Sequence, residues 1–388
     1  MKEKIVQVVG TMDRGGAETM LMDIMRKLYD KYEFHIIVNY KGNQIPQGDY
    51  DEEIKALGGK FHYIKSMWET GIKKYIDSFV GIINEIGNVH VVHSHLNSKG
   101  GVIAKAAYKA HVEKILVHSH AVLKFEGSLL YKIKNNLELS MQKRFISKYA
   151  THNIACSSEA MNSLFYKGDI EKKKTFVLHN AIDISKFLNV EQGEIEKMKE
   201  EFQLNEKNLI IGTVGRLAKV KQYSFIVDVL AELKARNVDF EYLIVGAKQD
   251  QRYAEEIFEK IKQYNLVENV KYIGSRSDME CIYPLFDVFL GASIREGLGM
   301  VSIEAQAAGV PCVLSDGFPK SVDLGLNLVH FLKTDNVEKW CDSIINTKKN
   351  LNSKEAILKK VTENGYNIDE EIMKIDKVYA MRKEENNG

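Results

Sequence analysis

DVFLGASIREGLGMVSIEAQAAGVPCVLSD, residues 287–316, opens on an apolar run of strand length and breaks at Gly291-Ala292-Ser293. A glycine-rich turn follows, then a run of good helix formers from Met300 to Ala308 that Gly309-Val310-Pro311 closes. Pro311 to Leu314 reads as the next strand. A strand, a loop, a helix and a second strand form a unit that turns helix N-terminal N–H groups toward a phosphate. The N–H groups of Gly297, Leu298, Gly299 and Met300 suit a pyrophosphate, and two carboxylates bracket the loop. Glu304, one turn into the helix, is placed to accept from both hydroxyls of a ribose. Glu296, before the glycines, is placed to hold a sugar beyond the phosphates. Together these parts describe a pocket for a nucleotide diphosphate sugar.

The 388 residues suit two domains of about 150 to 200 residues each. A hydrophobic content of 45% with 28% charged residues is that of a globular protein, and 4 prolines with 27 glycines exclude a disordered or linker-rich chain. The net charge of +1 is unevenly spread. Residues 1–185 hold 26 Lys and Arg against 20 Asp and Glu, and the rest 28 against 33. A basic first half is the half expected to face an anionic acceptor or membrane surface. Cys156, Cys281, Cys312 and Cys341 are far apart without a C-x-x-C, which excludes a disulfide framework and fits a reducing compartment. The apolar run after Met1 is too short for a signal peptide, and no stretch approaches the length of a membrane span. The expectation is a cytoplasmic protein with peripheral contact to the membrane open to it.

Ile5 to Val9 is a short strand that leads through Gly10 to Glu18, with Gly15-Gly16 in the turn, into a helix from Thr19 to Tyr29. Phe34 to Asn39 is the next strand, so the chain opens as a Rossmann-like half without G-x-G-x-x-G. Val89 to His93 and Lys114 to His118 are further strands, and each ends in His-Ser-His: His93 with His95, and His118 with His120. Strand ends line the ligand crevice of an open α/β sheet, which places these histidines for function. A metal is not expected: alternate strand residues are taken to face opposite ways, and zinc usually has Cys or carboxylate companions. Residues 124–150 read as one helix with six Lys or Arg against two Glu and an apolar stripe of Leu129, Leu130, Ile133, Leu137, Met141 and Phe145. That stripe packs on the core or meets anionic lipid.

The pattern restarts at Leu209 to Val214, followed by Gly215 to Gln222 and a helix from Tyr223. Arg216 and Lys221 sit on this strand-to-helix loop, where two cations neutralise a diphosphate and its leaving charge. Phe240 to Val245 and Val270 to Ile273 are strands, and Asp278 is expected to cap the helix after the second.

Glu296 and Glu304 in EGLGMVSIEAQAAGVP form an E-x7-E pattern that resembles the donor-site signature of retaining glycosyltransferases of family 4, which have the GT-B fold. The arrangement GRL-x3-KQ around Arg216 and Lys221 matches the pyrophosphate-binding pair of that family. Asn180 to Phe187 matches its N-[GA]-[IV]-D-x-x-x-F sequence at the exit to the second domain. The resemblance covers nearly the whole chain and is strongest over residues 209–316. It implies an α/β fold of two Rossmann-like domains facing a central cleft. The first, residues 1–185, binds the acceptor; the second, residues 186–365, binds the nucleotide sugar; a C-terminal helix, residues 366–388, packs back on the first.

The implied activity is that of a retaining, metal-independent hexosyltransferase. It moves a sugar from a nucleotide diphosphate sugar, UDP by family frequency, to a saccharide or lipid-linked saccharide in bacterial exopolysaccharide or capsule biosynthesis. Arg216, Lys221, Glu296 and His120 are the implied catalytic residues, His120 through the transferring sugar with His95 as the second choice. Gly15 and Gly16 lie near the donor phosphates, Arg276 beside the nucleobase, and Gly297, Leu298, Gly299, Met300, Val301 and Glu304 complete the donor site. No cofactor and no metal are expected, and nucleic acid is not a partner. A nucleotide-sugar epimerase and a non-catalytic nucleotide-sugar-binding protein of the same fold are the alternatives. A Rossmann oxidoreductase is disfavoured because neither half has G-x-G-x-x-G with an acidic residue about 20 positions on.

Overall fold

Among the described residues, two all-parallel sheets account for the strand-forming sequence, seven strands in one and six in the other. A computed structural model of the chain describes residues 2–13, 15–123, 125, 127–172, 175–348 and 352–381. The chain divides into two units, Met1–Ala181 with Ile368–Gly388, and Ile182–Asn367.

The strands of the first unit are β1 (Glu3–Val9), β2 (Tyr32–Tyr40), β3 (Lys60–Lys65), β4 (Val89–Ser94), β5 (Lys114–Ser119), β6 (His152–Ala155) and β7 (Thr175–Val177). They pair in the order β3-β2-β1-β4-β5-β6-β7. Both faces are covered, so the strands read as near-continuous apolar runs, as a buried parallel sheet requires. The period of two still sorts them. Ile5 and Val9 of β1, Val91 of β4 and Leu116 of β5 join the helices Gly16–Leu28 and Ile368–Ala380 in one core. Val6, Val8, Val92, Ile115 and Val117 point into the other, under the helix Ile72–Ile86. The helix Ile368–Ala380 thus belongs to the first unit, through Ile368, Ile372, Ile375, Val378 and Tyr379.

The second unit holds β8 (Leu209–Val214), β9 (Phe240–Val245), β10 (Val270–Gly274), β11 (Val288–Gly291), β12 (Cys312–Ser315) and β13 (Val329–Leu332), in the order β10-β9-β8-β11-β12-β13. In both units the strand order reverses beside the first strand, between β1 and β4 and between β8 and β11. Open α/β sheets bind ligands at such switch points, beyond the carboxyl ends of the strands.

Four expectations change. The division falls at Ala181/Ile182 rather than after 185, because Ile182 and Ile184 pack into the core of the second unit and Ile182 N donates to Tyr366 O at 2.9 Å. Strand β3 went unread: lysines at both ends and His62 in the middle dilute its apolar signal. The helix over 124–150 begins at Leu129, where the Ser128 hydroxyl accepts from Tyr131 N, and Lys124 and Glu126 lie outside the described residues. Its apolar stripe is not packed along its length. Leu139, Phe145 and Ile146 reach the core, whereas Leu129 and Leu130 are 72% and 80% exposed and Ile133 and Leu137 are exposed too. No helix among the described residues is long and apolar enough to cross a membrane.

Candidate active site

The switch point of the second unit is built from three loops. The loop after β8 carries Arg216 and Lys221, the loop after β11 carries Ser293 to Gly299, and the loop after β12 carries Asp316 to Phe318. Backbone bonds bind them together: Ile294 N donates to Val220 O at 2.8 Å and Glu296 N to Gly317 O at 2.9 Å. The Ser315 hydroxyl donates to Ser293 O at 2.5 Å. Gly317 is required by close approach, since a Cβ there would stand 2.1 Å from Ser293 O.

This framework brings together two of the residues singled out in the sequence. Lys221 Nζ donates to Glu296 Oε1 at 2.6 Å, and the Ser293 hydroxyl donates to the same oxygen at 2.5 Å. Both side chains of the ion pair are mostly shielded. Arg216 is exposed and has no side-chain partner among the described residues, so its charge is available to an anion.

The helix Met300–Ala307 starts from Gly299 in the left-handed region (φ 70°), a conformation natural to glycine, and no side chain caps it. Among the described residues the N–H groups of Gly297, Leu298, Gly299, Met300 and Val301 donate to no protein acceptor; the first internal bond comes from Ser302 N to Gly299 O. Five free donors beside an Arg and a Lys make an anion site by both direct bonding and helix dipole. Glu304 lies half-buried one turn on, with the Tyr283 hydroxyl donating to its Oε2 at 2.7 Å. Burial raises the Glu304 carboxyl above its ordinary 4.5, against the opposing pull of the Tyr283 hydrogen bond. Its Oε1 is left for a ligand hydroxyl.

Arg276 is placed differently from the expectation. Its guanidinium is bidentate to Asp278 (2.9 and 2.6 Å), bonds Glu201 at 2.9 Å and lies over the Phe202 ring. A charge neutralised twice in this way holds the turn, and its side chain is not free to meet a base. Asp278 consequently spends its carboxylate on Arg276 and makes no side-chain cap, although it occupies the N-cap position.

In the first unit the switch point is a cavity of about 280 Å³ lined by Val9, Gly10, Ala17, Glu18, His95, Leu96, Asn97 and Lys99. Gly15 precedes the helix Gly16–Leu28, whose Glu18 carboxylate folds back over it; Gly16 lies against Asn180; Arg14 is outside the described residues. Burial raises the Glu18 carboxyl. Glu18, Asn97 and Lys99 were not singled out in the sequence. Glu18 was legible, being the acid of Gly-Gly-Ala-Glu, but nothing marks Asn97 and Lys99 before the fold closes. The chain's D-x-D triplet, Asp49-Tyr50-Asp51, is also in this unit, with Asp51 accepting from Gly48 N.

The four histidines meet, contrary to the argument that alternate strand residues diverge. Residues i and i+2 share a face, and β4 lies beside β5, with His93 paired to Leu116 and Ser94 to Val117. His95 Nδ1 and His120 Nε2 are 2.9 Å apart, His95 Nε2 and Gln7 Oε1 are 2.8 Å apart, and His93 Nδ1 and the Tyr379 hydroxyl are 2.8 Å apart. His95 borders the cavity, and His120 stands behind it, with its N–H donating to Asn97 Oδ1 at 2.7 Å.

Comparison with known proteins finds relatives for both units of the chain. Residues 194–365 match the family model described as glycosyl transferases group 1, and residues 14–186 match that of glycosyltransferase family 4. The chain is 31% identical over 390 residues to EpsF of Bacillus subtilis (strain 168), designated a glycosyltransferase, covering 100% of this chain and 99% of that one. It is 28% identical to the capsular polysaccharide biosynthesis glycosyltransferase CapH of Staphylococcus aureus, over 78% of each chain. The crystal structure of Anabaena HepE in complex with UDP superposes with a TM-score of 0.75 over 97% of this chain and 99% of that one, at 18% identity.

Proposed function

We propose that the chain, which belongs to family 4 of the glycosyltransferases, acts in polysaccharide or capsule biosynthesis as a retaining, metal-independent transferase using a UDP-sugar donor and a lipid-linked saccharide acceptor. The observation that carries this reading is the Lys221–Glu296 pair beside the five free N–H groups of Gly297 to Val301.

The donor lies on the second unit. Its diphosphate takes the free N–H groups together with Arg216 and the two remaining donors of Lys221 Nζ. Glu304 accepts from the ribose, and Glu296, held by Lys221 and Ser293, faces the sugar hydroxyls. Backbone groups of the turn after β10 meet the base. As the bond from the anomeric carbon to the diphosphate oxygen breaks, negative charge grows on that oxygen. Donors fixed in place beforehand stabilise that charge without reorganising. The acceptor oxygen then bonds to the anomeric carbon from the same face, and its proton passes to the departing diphosphate. No side chain is assigned as the base. Two cations and a helix N-terminus supply the charge that a divalent ion supplies elsewhere. UDP is favoured over GDP or ADP by the UDP and UDP-glucose bound in HepE structures of the same fold. The acceptor is assigned to the first unit, whose cavity Glu18, His95, Asn97 and Lys99 line.

A lipid-linked acceptor is supported by the helix Leu129–Tyr149. Leu129, Leu130, Ile133 and Leu137 stand exposed among Lys132 and Lys134, the composition of a surface that lies against anionic lipid. The test is release of free UDP from a panel of UDP-sugars in the presence of a polyprenyl-linked saccharide fraction, with EDTA throughout. Acceptor-dependent UDP release supports the reading. Conversion of the donor sugar without acceptor and without UDP release would replace it with an epimerase.

A further inference from the structure

Three imidazoles of the histidine cluster, those of His93, His118 and His120, carry buried ring nitrogens with no partner among the described residues. His93 and His118 are fully buried and His95 is 6% exposed. His93 Nε2, both ring nitrogens of His118 and His120 Nδ1 are buried without any protein partner. A buried polar atom left unpaired costs about 1 to 3 kcal/mol, and native proteins hold few of them. Four in one cluster point to a missing occupant. One ring nitrogen from each of His93, His95 and His118 lies within 4.8 Å of the others.

We propose that His93, His95 and His118 form a binding site for a divalent transition metal ion, zinc foremost, on the sheet face that the C-terminal helix covers. Three imidazoles with an open fourth position are an established zinc ligand set. Zinc at about 2.1 Å from each nitrogen sets those nitrogens roughly 3.4 Å apart, so the rings need to approach by no more than about 1.4 Å. Metal-bound histidines characteristically donate their other N–H to a fixed acceptor. That shell is present: His93 Nδ1 faces the Tyr379 hydroxyl at 2.8 Å, and His95 Nε2 faces Gln7 Oε1 at 2.8 Å. Gln7 Nε2 in turn donates to Tyr379 Oη at 2.9 Å. In the tautomers that donate to Tyr379 Oη and Gln7 Oε1, His93 Nε2 is left as a lone pair and His95 Nδ1 is the acceptor of the bond from His120 Nε2. His120, whose Nε2 bonds that Nδ1 in the metal-free arrangement, gives up this bond when the ion takes its place.

An all-imidazole set favours zinc, copper or nickel and disfavours magnesium or calcium, the ions that accompany diphosphates. The ion would tie the ends of β4 and β5 to Tyr379 of the C-terminal helix. This proposal is independent of the donor site, which lies in the other unit and is tested separately by donor binding in EDTA.

The test uses the tag-free full-length chain, stripped with a chelator and dialysed, then titrated with Zn²⁺ and with Co²⁺. The expected result is one equivalent of zinc per chain by elemental analysis, a higher melting temperature, and visible Co²⁺ absorption characteristic of four-coordinate nitrogen ligation. His93→Asn and His118→Asn each weaken binding at least tenfold, and His62→Asn, on the other sheet face, does not. Tyr379→Phe keeps every ligand and weakens binding by about 10-fold to 100-fold, as loss of an outer partner does, which preserves the test if a histidine variant fails to fold. Substoichiometric zinc without Co²⁺ absorption, or binding indifferent to His93→Asn, His118→Asn and Tyr379→Phe alike, overturns the proposal and leaves the cluster to water.

Discussion

Lys221 Nζ and Glu296 Oε1 stand 2.6 Å apart, joining the loops that follow β8 and β11 across the point where the strand order reverses. A cation so held cannot swing away when the donor is absent, so the charge that meets the leaving diphosphate is in place beforehand. Replacing Lys221 or Arg216 by alanine is expected to lower kcat by about 10² or more, as removal of a comparable electrostatic group does. Steady-state UDP release checks it, and near-normal turnover in both variants would remove the assignment.

The loops tolerate little at one point. Gly317→Ala places a methyl 2.1 Å from Ser293 O, a backbone atom that cannot step aside, whereas a Cβ at Gly297 meets nothing within 4 Å. Gly317→Ala should cost roughly 1 to 3 kcal/mol by overpacking and should weaken donor binding with it. Gly297→Ala should leave the melting temperature unchanged. Thermal melts of the two variants side by side decide the point.

Glu304 gives donor binding a pH dependence. Its carboxyl is raised above 4.5 by burial, so in the window between 4.5 and the raised value the folded chain binds more protons than the unfolded one. Its contribution to stability is therefore present at low pH and is lost as pH rises through the folded value. Donor binding runs the other way, because only the carboxylate accepts from two hydroxyls. Affinity for UDP should fall as pH drops through that raised value, and Glu304→Gln should flatten the dependence. Calorimetric titrations across the acid range supply the test.

The exposed stripe on the helix Leu129–Tyr149 is expected to hold the chain to anionic vesicles. Burying a leucine is worth about 1.5 to 3 kcal/mol, so Leu129→Glu with Leu130→Glu should reduce co-sedimentation at least tenfold. Both side chains are largely exposed, so the melting temperature should stay put. Equal sedimentation of variant and wild type would count against a membrane face there.

Much of this was legible in the sequence, and the remainder has identifiable causes. The donor loops could be read because glycines, two carboxylates and two cations fall within short, punctuated segments whose strands are plainly apolar. The pairing of Lys221 with Glu296 could not, since it depends on β8 and β11 being neighbours 75 residues apart. Arg276 was misjudged for a related reason: its partner Glu201 comes from a helix before the second sheet begins. The histidines were misjudged through the strand period itself, for His-Ser-His puts both rings on one face, and only the adjacency of β4 and β5 makes two pairs into one cluster. The sequence leaves the helix stripe open between core and lipid because amphipathic spacing describes a face without saying what covers it.

The most direct test of the donor site is calorimetric titration of UDP and UDP-sugars, in EDTA, into the wild-type chain and Glu304→Ala. The account predicts metal-independent binding to the wild type. Loss of one or two hydrogen bonds to a charged acceptor, at about 1.5 to 3 kcal/mol each, should weaken the variant tenfold or more. Binding that survives Glu304→Ala unchanged would move the nucleotide away from this loop. Absence of binding by UDP-, GDP- and ADP-sugars alike would contradict the donor site altogether.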